Sequence, residues 1–96
     1  MPVLSRFYGL VVYMNFREHG LPHFQARYQG DEVTVEISSG RVSGTMSKRA
    51  LGMLFEWMEA HRGELMDNWQ MAAARKPLQP IAPLPYRVGG SCVPAR

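Results

Sequence analysis

A chain of 96 residues, 46% of them hydrophobic, is sized for one globular domain, and none of its apolar runs approaches the ~20 residues that a membrane-spanning helix needs. Its single cysteine, Cys92, excludes an intramolecular disulfide, and the N-terminus lacks a secretion-signal pattern, so a cytoplasmic location is expected. The net charge of +3 and a pI near 9.4 suit nucleic acid or an acidic partner. The basic residues, however, stand singly or in short pairs such as Lys48-Arg49 and Arg75-Lys76 rather than in one patch.

From Leu4 to Phe16 the chain is rich in aromatic and β-branched residues. Leu10, Val12, Met14 and Phe16 alternate onto one side, with Phe7, Val11 and Tyr13 on the other, which predicts one central strand with Gly9 as a bulge or a close backbone approach. His19-Gly20-Leu21-Pro22 breaks the pattern, because glycine supplies unusual backbone angles and proline restrains the residue before it. A second strand is expected over His23–Tyr28, with Phe24, Ala26 and Tyr28 on one face and His23, Gln25 and Arg27 on the other. Gln29-Gly30-Asp31 reads as a hairpin turn, followed by a third strand over Glu32–Ile37 in which Val33, Val35 and Ile37 alternate with Glu32, Thr34 and Glu36. Arg41–Met46 reads as a short fourth strand with Val42 turned inward.

Ser47 is a fitting N-cap for a helix carrying Leu51, Leu54, Phe55 and Met58, with Trp57 extending the stripe. A break at His61-Arg62-Gly63 separates it from a second helix with Leu65, Met66, Trp69 and Ala73. Pro77, Pro80, Pro83 and Pro85 forbid further helix and predict extended docking or disorder. The expected fold is α+β: a small antiparallel sheet of three to four strands followed by two helices packed on one face. The expected organisation is one domain over 1–84 and a flexible tail over 85–96.

The segment Phe16–Tyr28 holds the densest set of groups able to do chemistry. His19 and His23 flank the turn, and two imidazoles can act as general base and general acid. In RNA cleavage one group takes the 2′-hydroxyl proton and the other protonates the 5′-oxygen, while Arg17 or Arg27 steadies the phosphorane. Glu18, Gln25, Tyr28 and Arg6 are candidates for contacting substrate or partner. The plainer alternative makes the histidines polar surface or turn-bracing residues. Zinc bound by His19, His23 and Glu18 is disfavoured, since adjacent side chains diverge and no cysteine lies near, and no cofactor is expected.

Ser5-Arg6-Phe7-Tyr8-Gly9, Tyr13 through His19, Pro22-His23-Phe24, Ala26 and Tyr28 together resemble a bacterial family of short proteins catalogued as a domain of unknown function. Arg49-Ala50-Leu51, Glu56-Trp57, His61-Arg62, Glu64-Leu65 and Trp69 match that family's helical half, so the resemblance spans about Met1 to Pro83. Some members are DhiT-like toxins of type II toxin–antitoxin pairs. The resemblance therefore implies a role more than a reaction, that of a toxin component partnered by a small antitoxin-like protein; the histidines flanking the turn add a metal-independent, histidine-dependent ribonuclease activity as the expected chemistry. Two departures stand out: Gln25 occupies a position where the family commonly has histidine, and Met46-Ser47 replaces Leu-Pro ahead of the first helix. The alternative expectation is a non-enzymatic regulatory module that binds a partner protein or nucleic acid through its basic surface and proline-rich tail. No helix-turn-helix pattern supports DNA reading by the chain alone.

Overall fold

In a computed structural model, residues 2–16 and 20–85 are described. The chain forms strands β1 (Val3–Phe7), β2 (Leu10–Tyr13), β3 (His23–Tyr28), β4 (Asp31–Glu36) and β5 (Val42–Gly44), then helices α1 (Lys48–Ala60) and α2 (Arg62–Ala73). The strands make one sheet in the order β1-β2-β3-β4-β5, every neighbouring pair antiparallel. The α+β architecture is as expected, but the sheet has five strands rather than three to four.

The extra strand comes from the N-terminal run. Instead of one long strand it folds back at Tyr8-Gly9, where φ is 51° and 86°. Phe7 pairs with Leu10 across this two-residue loop. Positive φ at both central residues is the primed turn geometry whose twist matches that of paired strands. Gln29-Gly30 repeats it with φ 49° and 86°, and Tyr28 pairs with Asp31. A register shift between Val3 and Ser5 leaves Leu4 extra on β1. Both Leu4 and Ser5 are buried as a result, and the Leu4 carbonyl accepts a 2.8 Å bond from the Ile81 N–H.

Alternation sorts the strands into two faces. Phe24, Ala26, Val33 and Val35 are fully buried on one face, and Trp57 of α1 packs on it with ring centroids 5.5 Å from Phe7 and 6.0 Å from Phe24. Ser47 caps α1, its Oγ accepting from the Ala50 N–H at 3.1 Å. The helix stops where expected: His61 leaves helical geometry (φ −127°, ψ 23°) and α2 starts at the next residue.

The buried stripe of α2 is rotated from the expected one. Leu65, Asn68 and Ala72 are buried, while Met66 and Trp69 are half-buried and Ala73 is exposed. The proline-rich segment is the cause. Residues 77–85 run extended back along β1, and Asn68 pins them by donating to the Gln79 carbonyl and accepting from the Gln79 N–H at 2.7 Å. Trp57 Nε1 donates to the Ala82 carbonyl at 2.8 Å, the Tyr8 hydroxyl donates to the Pro85 carbonyl, and Ile81 and Leu84 are buried. The segment thus covers the edge of β1, which would otherwise present unpaired backbone groups. Of the tail expected over 85–96, Pro85 is held by Tyr8, and residues 86–96, with Cys92, lie outside the described residues.

Among the described residues no helix is long and apolar enough to cross a membrane.

Candidate functional site

The second face of the sheet follows from register. The Tyr28↔Asp31 turn pair dictates every pair below it, ending with Gln25↔Thr34 and His23↔Glu36. Tyr13 lies beside Gln25 and Ser43 beside Thr34, while Arg6, Val11, Arg27 and Glu32 form a parallel row. Antiparallel partners share a face, so His23, Gln25, Arg27, Glu36 and Arg6 are all presented on this side.

His23 is the best-defined group there. Its Nδ1 lies 2.9 Å from the Leu21 carbonyl. A carbonyl only accepts, so Nδ1 carries a proton and proton exchange at this ring belongs to Nε2. The ring also lies against Trp69 of α2, centroids 4.9 Å apart. Together these contacts set the orientation of the imidazole at the start of β3. Pairing extends past the strand end, where Ile37 N–H bonds the Pro22 carbonyl at 3.0 Å, so the turn before His23 is braced against β4.

A shallow cleft of about 220 Å³ opens beside the ring, lined by Leu21, His23, Thr34, Glu36, Arg41 and Ser43. It is smaller than the ~300–1,000 Å³ of ordinary small-molecule pockets and suits a group passing over the surface better than an enclosed ligand. Within it stand an imidazole, a carboxylate, a guanidinium and two hydroxyls. The Ser39 hydroxyl donates to Glu36 Oε1 and orients the carboxylate, and Ser39 Oγ in turn accepts from the Arg41 N–H at 3.2 Å. The Glu36 N–H bonds the Arg41 carbonyl at 2.9 Å, which ties the loop carrying Arg41 to the end of β4.

The other expected site residues divide. Gln25 lies beside His23 on the same face but is 9% exposed, and its Oε1 has no hydrogen-bond partner among the described residues. Arg27 is exposed, 3.7 Å from Glu32 and 5.4 Å above the Tyr13 ring, so part of its charge is engaged by its neighbours. Arg6 shares the face at its far side, two strands from Arg27, and opens onto a separate hollow with Phe7, Tyr8, Pro83 and Leu84. Tyr28 falls on the opposite face, half-buried against the core, its ring facing Gly9. Arg17, Glu18 and His19 lie outside the described residues. Among the described residues no group of three or more His, Cys, Asp or Glu side chains could hold a metal ion.

Glu36, Arg41, Thr34 and Ser43 were not among the expected site residues. The signal for Glu36 was present: counting back from a two-residue turn at Gln29-Gly30 sets Glu36 opposite His23. Arg41 comes from a loop whose path no periodicity announces.

Residues 9–70 match the family described as Domain of unknown function (DUF4160). The chain belongs to this family. Comparison with curated proteins and with solved structures gives no match. The DUF4160 match runs from Gly9 through α2 to Gln70, so it takes in β2 to β5, all of α1 and every residue lining the His23 cleft. It begins after β1 and ends before the segment that covers β1.

Proposed function

We propose that this DUF4160 protein is the toxin component of a type II toxin–antitoxin pair and acts on RNA, with His23 as a proton-transfer group. One observation carries the reading. His23, held by the Leu21 carbonyl and Trp69, lines a cleft on a sheet face that also bears Arg6, Arg27 and Arg41. An imidazole with one nitrogen committed to the backbone can move a proton at the other, and guanidinium groups on the same face attract a phosphate backbone. The partner under this reading is a small antitoxin-like protein that blocks the face.

The test is growth on induced expression, wild type beside His23→Ala, with total RNA examined in both. Growth arrest with RNA loss, both abolished in His23→Ala, is the expected result. Arrest that survives the substitution removes His23 from the chemistry.

A second reading is favoured by Gln25. An amide cannot transfer protons, and here it stands where the resembled family commonly has histidine. On this reading the chain is a non-enzymatic module that binds nucleic acid or a partner protein through the same face. Affinity for RNA that falls steeply with salt, without cleavage, distinguishes it from the first.

A further inference from the structure

We propose that Glu36 is the general base of this site and Arg41 its phosphate contact, so that the reaction is cleavage of RNA by its own 2′-hydroxyl. The proposal rests on the RNA reading above and names the two groups that complete it. His23 and Glu36 are direct cross-strand partners, a relation that sets their Cβ atoms ~4.5–5.5 Å apart on one face of the sheet. Both line the one cleft, and Arg41 lines it from the adjoining loop. Ser39 donates to Oε1 of Glu36, which fixes the orientation of the carboxylate beside His23.

The step balances without metal, water or cofactor. The Glu36 carboxylate takes the proton of the 2′-hydroxyl as O2′ attacks phosphorus. The O2′–P bond forms, the P–O5′ bond breaks, and protonated His23 gives its Nε2 proton to the departing O5′. The products are a 2′,3′-cyclic phosphate and a 5′-hydroxyl. Glu36 is left protonated and His23 neutral, and exchange with solvent restores both. Arg41 faces the negative charge that builds on the non-bridging oxygens. An open cleft suits this chemistry, because the polymer lies across the sheet and only one phosphate need descend.

The experiment uses the full chain, a labelled single-stranded RNA of mixed sequence and the same oligonucleotide in DNA. Wild type is expected to cleave only the RNA and to leave cyclic phosphate ends. Glu36→Gln, which keeps the shape of the side chain, is expected to lower kcat by ~10²–10⁴-fold with little change in KM. Glu36→Asp is expected to retain part of the activity, which a purely structural carboxylate would not require. Arg41→Ala is expected to lower kcat by ~10²–10³-fold. Glu36→Gln cleaving like wild type while His23→Ala is inactive would overturn the assignment and leave the RNA reading standing. Loss of activity in His19→Ala but not in Glu36→Gln would replace it with a two-histidine mechanism. Ends bearing 5′-phosphate would exclude 2′-hydroxyl attack. No RNA cleavage by wild type would remove the RNA reading and this assignment with it.

Discussion

The two faces of the sheet are built by the same strands, residue by alternate residue, yet they carry different kinds of information. On the face under α1, Phe24, Ala26, Val33 and Val35 are fully buried and Trp57 closes over them. On the other, Tyr13 and Gln25 are buried in the sheet's middle, but the surrounding positions are His23, Arg27, Glu32, Thr34, Glu36 and Ser43, half-buried or exposed. The first face follows the rule that apolar area leaves water. The second keeps ionisable groups in cross-strand register where hydrophobic burial does not demand them. Stability should therefore reside in one face and chemistry in the other, and substitutions can separate the two.

The sharpest test of the first half is Trp57→Ala. It removes the largest fully buried side chain, its contacts with Phe7 and Phe24 and its bond to Ala82. A loss of ~3–5 kcal/mol is expected in urea unfolding, comparable to the whole stability of a small domain. Survival of a cooperative transition near the wild-type midpoint would show that the core lies elsewhere.

Next in size is Asn68→Ala. It removes both bonds that the buried Asn68 side chain makes to the Gln79 backbone, an expected cost of ~1–3 kcal/mol for two hydrogen bonds. Because the lost bonds anchor the segment over β1, limited proteolysis should cut between residues 77 and 85 sooner than in wild type.

Ser47→Ala removes the cap of α1 and should cost about 1 kcal/mol by the same urea measurement. Arg75→Gly should act in the opposite direction. Arg75 has φ 59° in a C-terminal motif where the Lys76 N–H bonds the Met71 carbonyl and the Arg75 N–H bonds the Ala72 carbonyl. Glycine adopts that conformation without steric cost, so a gain of ~0.5–1 kcal/mol is expected in the unfolding midpoint. The smallest effect on stability belongs to the second face. Arg41→Ala should leave the melting temperature unchanged, since Arg41 is an exposed loop residue, while lowering RNA cleavage. A large melting shift in Arg41→Ala would erase the distinction between the faces.

Two turns show how much of this was legible. Gln29-Gly30 and Tyr8-Gly9 adopt nearly the same backbone angles. The first announces itself, because polar residues follow it and alternating strands flank it. The second is hidden inside an aromatic and β-branched run that suits an unbroken strand equally well, since residues of that kind are compatible with either path. The turn at Tyr8-Gly9 raises the strand count to five and leaves the α+β class unchanged. The buried stripe of α2 differs from the expected one for a similar reason: Asn68 looks like a surface residue until the returning segment supplies its partners. In the candidate site, His23, Gln25 and Arg27 could be assigned to one face of β3 from alternation alone. Glu36 required the register, and Arg41 required the path of a loop.

The sequence by itself determined the strand and helix types, the Gln29-Gly30 hairpin, the Ser47 cap, the break at His61 and the separation of Phe24 from His23 onto opposite faces. These depend on periodicity, capping and turn chemistry, which act over a few neighbouring residues. Only the tertiary structure decided that Tyr8-Gly9 turns back, that residues 77–85 cover β1 and that Trp69, Glu36 and Arg41 gather around His23. Each of those outcomes joins residues far apart in the chain or chooses between locally equivalent paths. The choice falls to whichever arrangement buries Trp57 and Ile81 and satisfies the backbone groups along the edge of the sheet.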